Sequence, residues 1–175
     1  MRHGETDWNL GRRLQGHSDR PLNDTGREQA RALAEELANE PLEAVYSSDL
    51  ARAGETARIV AEAHGLQVTP LPDLRERHFG TWEGLSDAEI EERFPEQIAN
   101  GTLGDGETRE EMDRRVLEAL QQIAREHPDG TVLVVSHGGP LRSVMRHCEI
   151  DGVERVENCH VLRLDAVDGV LREIG

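Results

Sequence analysis

Short apolar segments that are each followed by a helix-start signal constrain the fold of this chain most strongly. Ala44-Val45-Tyr46-Ser47 and residues 131–136 have the length and β-branched or apolar composition of buried strands. Ser48 follows the first as an N-cap for a helix to about residue 64, and Gly138-Gly139-Pro140 follows the second. This alternation predicts an α/β fold with a mostly parallel central sheet. We expect a three-layer α/β/α arrangement with helices on both faces of the sheet.

Local patterns place further elements around this sheet. Residues 160–164 and 170–174 predict a closing hairpin around Asp168-Gly169. The length of 175 residues suits a single domain, which we expect to span residues 1–175 with a short lid at about residues 85–106. A Ser or Thr that precedes Glu by three residues forms a capping box at a helix start, as in Thr25-x-x-Glu28, Ser86-x-x-Glu89 and Thr108-x-x-Glu111.

The overall charge excludes several classes of protein. A formal net charge of −15 argues against binding to nucleic acid and to anionic membranes. No apolar run approaches the roughly 20 residues that span a bilayer, and the polar N-terminus carries no secretory signal. Cys148 and Cys159 form neither a disulfide framework nor a zinc-ligand spacing. We therefore expect a cytoplasmic protein that contacts neither nucleic acid nor membrane.

Two basic or imidazole side chains follow the predicted strands directly. His137 comes after residues 131–136, and Arg52 comes soon after the strand that ends at Ser47. The carboxyl ends of parallel strands are where α/β sheets bind ligands, and the Gly138 and Gly139 N–H groups would face an anion there. The alternatives are a loop histidine without a role and a surface arginine paired with Glu55 or Asp49.

The opening block Arg2-His3-Gly4-Glu5-Thr6 combines a guanidinium with an imidazole. A histidine can attack phosphorus with one ring nitrogen when the other holds the proton and is fixed by a hydrogen bond. Arginine can bridge phosphoryl oxygens with two hydrogen bonds. Gly4 would let the backbone approach the phosphate closely.

Five motifs occur in a fixed order and cover nearly the whole chain. They are Arg2-His3-Gly4-Glu5-Thr6, Gln15-Gly16 with Asp19 to Ala30, Ser47-Ser48-Asp49-Leu50 with Arg52 to Ala57, Leu74-Arg75-Glu76 with Phe79 to Gly84, and Ser136-His137-Gly138-Gly139. In these motifs the chain resembles the histidine phosphatase superfamily, the phosphoglycerate-mutase-like proteins. The resemblance implies a phosphoric monoester hydrolase that acts on small phosphomonoesters.

The resemblance also implies a role for each catalytic side chain. His3 would be the nucleophile that becomes a phosphohistidine, and Arg2, Arg52 and His137 would clamp the phosphoryl group. Glu76 would protonate the leaving alcohol and then activate water. To do so, Glu76 must hold its proton near neutral pH, which burial or the charge of the nearby phosphate would favour.

Four further residues are expected at the substrate. Asn9 and the Gly138 N–H would contact the phosphate, and Gln15 and Gly16 would line the mouth of the site. Since cationic and donor side chains can take the place of a metal ion around the phosphate, no metal and no cofactor is expected. The expected partner is a small-molecule phosphomonoester; the oligomeric state is left open, with a homodimer as one option.

Two alternatives to hydrolysis stay open within this family. A mutase must retain a bisphosphorylated intermediate, which goes with a longer insertion between the acid and the second histidine. The stretch from Glu76 to His137 is compact here, which favours entry of water and therefore a phosphatase. The second alternative is an inactive, phosphate-binding domain of the same fold.

The opening motif departs from the family pattern at its upstream side. Family members reach Arg-His-Gly through a hydrophobic strand, whereas Met1 directly precedes Arg2 here. We expect that the native start lies upstream, so that the first central strand is truncated. Chain termini fray unless they are tied down, which predicts a loosely held His3 and an incomplete core.

Overall fold

Three parallel strands form the central sheet. The structure is a computed structural model that describes residues 1–102, 105–150, 156–167 and 170–174. Strand β1 (Leu42–Ser47) lies between β2 (Val68–Pro70) and β3 (Thr131–Val135). The strands are in parallel register, with Tyr46 of β1 opposite Thr69 of β2 and Val134 of β3. The predicted α/β fold with a parallel sheet is confirmed.

Helices flank this sheet and follow its strands along the chain. The 3₁₀ turns Pro72–Leu74 and Gly80–Trp82 lie between β2 and the fourth helix. Within the described residues no helix has the length and apolar character to cross a membrane. The helices are α1 (Asp7–Leu10), α2 (Asp24–Glu36), α3 (Ala51–Ala63), α4 (Asp87–Arg93), α5 (Pro95–Ala99), α6 (Arg109–Glu126) and α7 (Gly138–His147).

Two of the three predicted capping boxes are confirmed, at Ser86 for α4 and Thr108 for α6. The prediction at Thr25 is wrong. Asn23 is the N-cap of α2, and its side chain accepts a hydrogen bond from the Gly26 N–H at 2.8 Å. This places Thr25 inside the helix, because the asparagine two residues earlier already satisfies a free N–H of the first turn.

The prediction of Ser48 as the N-cap of α3 is also wrong. Leu50 occupies the cap position without a side-chain bond. The hydroxyl of Ser48 instead accepts the Leu50 N–H at 3.3 Å, ahead of the helix. Asp19 supplies an acceptor from outside the helix, since its Oδ1 accepts the Ala51 N–H at 2.7 Å, and Arg52 lies in the same first turn.

Apolar clusters join the helices to the sheet. α2 and α3 pack on β1 and β3, and α6 packs on α7 in a separate cluster with Met112, Val116 and Val144. Fully burying a valine or leucine contributes roughly 1.5–3 kcal/mol. The cluster at α2 and α3 contains Met1, Leu33, Ala34, Leu37, Val45, Ala53, Ala57, Val60, Ala61, Leu133 and Val135.

The C-terminal part contains two antiparallel strands. β4 (Leu164–Val167) pairs antiparallel with β5 (Val170–Glu173), in a register that places Ala166 opposite Leu171. The predicted turn at Asp168-Gly169 lies outside the described residues. The second strand agrees with the predicted range 170–174, whereas the predicted range 160–164 for the first strand is wrong, because β4 begins only at Leu164 and extends to Val167.

Residues 1–3 extend the sheet on the free side of β3. The Ser136 N–H donates to the Met1 carbonyl at 2.8 Å, and the His3 N–H donates to the Ser136 carbonyl at 3.0 Å. On the other side the Arg2 N–H donates to the carbonyl of His160 at 3.0 Å. The expectation of a loosely held His3 is wrong, because backbone hydrogen bonds tie this segment down from both sides. The expected upstream start stays a prediction.

An apolar cavity of about 410 Å³ lies along β3. Met1, Val132, Val134, Val161 and Leu162 are among its lining residues. Its lining includes none of the residues predicted to act on phosphate, so it is separate from the candidate site.

Candidate active site

His3 lies at the end of the segment that pairs with Ser136, and it is 3% exposed. Its Nδ1 lies 2.7 Å from the Gly4 carbonyl oxygen. Since a carbonyl can only accept, Nδ1 carries the proton and Nε2 keeps its lone pair. Burial, together with the nearby Arg52 and Arg2, holds the pKa of His3 well below 6.5. The neutral ring therefore has a nucleophilic nitrogen at neutral pH.

His137 lies directly after Ser136 as the N-cap of α7, and it is fully buried. Its ring centre is 5.1 Å from that of His3, with the two planes at 62°. Burial, followed by the charge of Arg52 and the proximity of His3, holds the pKa of His137 well below 6.5. Neither ring nitrogen has a hydrogen-bond partner within the described part of the chain. Buried polar atoms without partners are costly, which indicates that a ligand completes this site.

Arg52 is the second residue of α3 and is fully buried. Its Nη2 donates to the Gly16 carbonyl at 2.7 Å, and its Nη1 donates to the Ser18 carbonyl at 3.0 Å. Its Nε has no hydrogen-bond partner among the described residues. Burial lowers the pKa of Arg52 to about 10, so the side chain stays charged at neutral pH.

The surface-pair alternative for Arg52 is wrong. Asp49 instead accepts from Arg75 Nε at 2.7 Å, and Glu55 accepts from Arg27 Nε at 2.7 Å. Within the described chain, no carboxylate lies at ion-pair distance from the buried Arg52 guanidinium. Its positive charge is therefore available to pair with an anion.

Arg2 reaches the start of α7 next to His137. Its Nη1 donates to the Val156 carbonyl at 2.6 Å. A Cβ atom on Gly138 would lie 3.8 Å from Arg2 Nε and 3.3 Å from Nη1 of Arg142. Gly138 is the first residue of α7, where helix geometry provides no acceptor for its N–H. Two guanidinium groups and a helix N-terminus thus meet here; Arg142 was not among the predicted residues.

Glu76 approaches α7 from the segment that follows β2. One carboxylate oxygen accepts the Gly139 N–H at 3.0 Å, and the other accepts the Arg77 N–H at 2.9 Å. The Gly139 N–H was expected to face a bound anion. It instead donates to the Glu76 carboxylate of the protein itself. A Cβ on Gly139 would overlap the Glu76 carboxylate, so only glycine lets the acid lie so close to the helix.

Arg115 holds the segment that carries Glu76, and it was not among the residues predicted from the sequence. From α6, its nitrogens donate to the carbonyl groups of Asp73 and Arg75 at 2.8 Å and of Glu76 at 2.9 Å. Its Nε also pairs with Glu107 at 2.6 Å. These bonds fix the backbone from which the Glu76 side chain extends.

The remaining predicted residues surround the opening motif. Asn9 Oδ1 accepts the Thr6 N–H at 3.1 Å within the capping box of α1. Gln15 Oε1 accepts from the Thr6 hydroxyl at 3.0 Å, and the Gly16 carbonyl accepts from Arg52. Both amide oxygens are therefore engaged within the protein, so contacts of Asn9 and Gln15 with a phosphate would come from their NH₂ groups.

Asn158 and Thr56 are further supports that the predictions did not include. Asn158 Nδ2 donates to the His3 carbonyl at 2.9 Å, and the Gly4 N–H donates to Thr56 Oγ1 at 3.0 Å. The expected approach of the Gly4 backbone to a phosphate stays a prediction. A Cβ there would lie 2.5 Å from the Gly26 carbonyl oxygen, so glycine is needed for packing against α2.

The site thus brings together His3, Arg2, Arg52, Glu76 and His137, which are far apart in the sequence. It combines a neutral imidazole, buried positive charge and an adjacent carboxylate, which suits transfer of a phosphoryl group to histidine. Residues 1–170 match the model of the histidine phosphatase superfamily (branch 1). The chain belongs to this superfamily.

Individual relatives within the superfamily carry both mutase and phosphatase names. The chain is 41% identical to phosphoglycerate mutase-like protein 4 of Arabidopsis thaliana, over 97% of this chain and 79% of that protein. It is 43% identical to the metal-independent phosphoserine phosphatase of the same plant, over 82% of this chain and 65% of that protein. The solved structure of Bacillus stearothermophilus YhfR superposes with a TM-score of 0.88 at 32% identity, over 98% of this chain and 92% of that one.

Proposed function

We propose that this protein hydrolyses small phosphomonoesters through a phosphohistidine on His3, without a metal ion. The observation that carries the proposal is the set of unpartnered buried nitrogens around a neutral His3. Arg52 Nε and both nitrogens of His137 find no acceptor or donor among the described residues. A phosphoryl group offers three oxygens to these groups and to Arg2, Asn9 and the Gly138 N–H.

In the first step, Nε2 of His3 attacks phosphorus and forms the P–N bond. The P–O bond to the alcohol breaks, and Glu76 supplies the proton that the leaving oxygen needs. The hydrogen bond from Nδ1 to the Gly4 carbonyl keeps the ring in the reactive tautomer. Arg2, Arg52 and His137 stabilise the charge that spreads over the transferred oxygens.

In the second step, Glu76 takes a proton from water, whose oxygen attacks the phosphohistidine. The P–N bond breaks, His3 recovers its lone pair, and inorganic phosphate leaves. One ester and one water give one alcohol and one phosphate, so no other reactant is required.

We propose that residues 85–106, approximately, form a lid over the site. This lid is short, which favours hydrolysis over mutase activity. α4 and α5 are the only helices described there, and they span seven and five residues. A short cover admits water to the phosphohistidine. The mutase-like name of one relative makes phosphoglycerate interconversion the second candidate.

The test is turnover of p-nitrophenyl phosphate with and without EDTA. We expect phosphate release that EDTA leaves unchanged. Activity abolished by EDTA would contradict the metal-free mechanism, and no turnover from pH 5 to 8 would favour a phosphate-binding domain without activity.

A second measurement separates phosphatase from mutase. The protein is incubated with 3-phosphoglycerate and the bisphosphorylated primer, and phosphate release is compared with isomer formation. Net phosphate release is expected. Sustained interconversion with negligible phosphate release would refute the phosphatase proposal. If phosphate is released as expected, a panel of phosphomonoesters compared by kcat/KM defines the substrate.

A further inference from the structure

The side chain of Glu83 is 11% exposed and lies against the loop of residues 15–18. Its Oε1 accepts the N–H groups of His17 at 2.8 Å and Phe79 at 3.1 Å. Its Oε2 accepts both the N–H and the hydroxyl of Ser18 at 2.7 Å. Burial raises the pKa of Glu83, but these hydrogen bonds outweigh burial and bring it below its ordinary value. The group is therefore an ionised carboxylate at neutral pH.

The same loop contacts Arg52 through its carbonyl groups. The Gly16 and Ser18 carbonyls accept from the two terminal nitrogens of Arg52, at 2.7 and 3.0 Å. The loop thus binds Glu83 through N–H groups and Arg52 through carbonyl groups. Its peptide dipoles lie between a carboxylate and a guanidinium, an arrangement that is electrostatically favourable.

Gly16 makes this arrangement possible. Its φ of +51° is a backbone conformation that glycine adopts without strain. A Cβ there would overlap the Glu83 carboxylate. The close approach of loop and carboxylate therefore depends on the absence of a side chain at residue 16.

The Glu83 charge also acts on Arg52 directly. Glu76, Asp19 and Glu83 are the carboxylates whose fields favour the charged form of Arg52. None of them lies at ion-pair distance from the guanidinium in the described residues. Glu83 therefore supports the Arg52 charge without occupying the face that an anion would bind.

We propose that Glu83 is a positioning residue, which fixes the 15–18 loop so that its carbonyl groups hold the Arg52 guanidinium toward the phosphoryl group. The inference rests on the proposed phosphate site. Glu83 contacts none of the proposed reacting atoms, so its effect is transmitted through Arg52.

The first test is the Kd of inorganic phosphate and of orthovanadate, measured by calorimetry. Glu83→Gln keeps the shape of the side chain but loses its charge and one acceptor oxygen. Because hydrogen bonds to a charged acceptor are the stronger ones, the 15–18 loop loses part of its support and we expect phosphate binding to weaken by about tenfold or more.

Glu89→Gln is the matched control. Glu89 accepts the N–H and the hydroxyl of Ser86 at 2.8 and 2.9 Å, as Glu83 does with Ser18, and it pairs with Arg13. It does not contact the 15–18 loop. Its substitution is expected to change the Kd by less than about twofold.

A double-mutant cycle tests transmission through Arg52. Glu83→Gln is compared in the wild-type and Arg52→Lys backgrounds by kcat/KM for p-nitrophenyl phosphate. We expect a loss of about tenfold in the wild-type background and of less than about threefold beside Arg52→Lys. A merely structural role would lower kcat/KM equally in both backgrounds and would overturn the proposal.

Ser18→Ala keeps the proposal testable if Glu83→Gln folds poorly. It removes one hydrogen bond to Glu83 and is expected to weaken phosphate binding by about threefold while the protein stays folded. An unchanged Kd in both Ser18→Ala and a folded Glu83→Gln would overturn the positioning role. Absence of phosphate binding by the wild-type protein would instead refute the proposed function itself.

Discussion

The phosphate end of the sheet and the lid segment are built in opposite ways. Arg52 and His137 are fully buried; Arg52 belongs to α3, which packs on the sheet, and His137 is the N-cap of α7, which packs on α6. Ile98 in α5 is 43% exposed, and α5 contributes no buried residue. The side chains proposed for phosphoryl chemistry are thus held by buried packing, whereas Ile98 of the proposed lid lies at the surface.

Glu76→Gln is expected to have the largest effect. An amide cannot transfer the proton, so kcat for an alkyl phosphate should fall by about 10²–10⁴-fold. The nitrophenolate leaving group needs less protonation, so the loss with p-nitrophenyl phosphate should be smaller. Steady-state kinetics with both substrates measures this. Equal losses for the two would contradict the assignment of Glu76 as proton donor.

Arg52→Lys is expected to weaken the clamp on the phosphoryl group. Lysine keeps the charge but cannot bond both loop carbonyls and the phosphate. We expect kcat/KM to fall by roughly 10²–10³-fold for every substrate, the scale of losing one oxyanion donor. Arg58→Lys, on the same helix, is the control. A loss confined to one substrate would place Arg52 in substrate selection instead of the common chemistry.

Acid should destabilise the ligand-free protein through His3 and His137. Burial and Arg52 hold both pKa values well below 6.5 in the folded state. Between the unfolded and folded values the unfolded chain binds more protons, so stability falls as pH decreases below about 6.5. Each histidine should lower the free energy of unfolding by roughly 1 kcal/mol at pH 5.5 relative to pH 7.5.

Urea unfolding at several pH values measures this slope. His137→Gln should reduce the loss between pH 7.5 and 5.5 by roughly 1 kcal/mol, the share of one histidine, because other groups whose pKa values burial lowers, such as His17, contribute as well. His147→Gln on the surface of α7 should keep the wild-type slope. If His137→Gln leaves the slope unchanged, the histidine is not held neutral in the folded protein.

Ile98→Ala in the lid is expected to have the smallest effect. Because the side chain is exposed, stability should change by less than about 0.5 kcal/mol and phosphate binding should be unaltered. Ile90 of α4 is 5% exposed, so Ile90→Ala should cost roughly 2–5 kcal/mol. Thermal unfolding and phosphate titration compare the two. A large change in phosphate affinity in Ile98→Ala would break the proposed separation of lid and chemistry.

Local signals predicted much of this structure. The capping boxes at Ser86 and Thr108 and the strand around Val134 depend on neighbouring residues, so their patterns could be interpreted directly. The prediction at Thr25 failed because Asn23, two residues earlier, is the N-cap and accepts the N–H of Gly26 in the first turn. Family motifs placed the candidate site, and the structure brings its members together.

The supporting residues could not be found in this way. Arg115 bonds carbonyls about 40 residues away, and Asn158 bonds the His3 carbonyl across 155 residues. Neither contact leaves a local pattern, since an arginine on a helix and an asparagine in a loop are common in any sequence. Thr56 could have been predicted from the sequence, because it lies one helical turn after Arg52 on the same face of α3.

Trapping of the phosphoenzyme tests the central claim most directly. Glu76→Gln slows attack by water, so incubation with ³²P-labelled p-nitrophenyl phosphate and rapid quenching should accumulate label that is acid-labile and base-stable. Peptide mapping should locate it on His3, His3→Ala should abolish it, and His147→Ala should retain it. Label that persists in the His3→Ala variant would contradict the account.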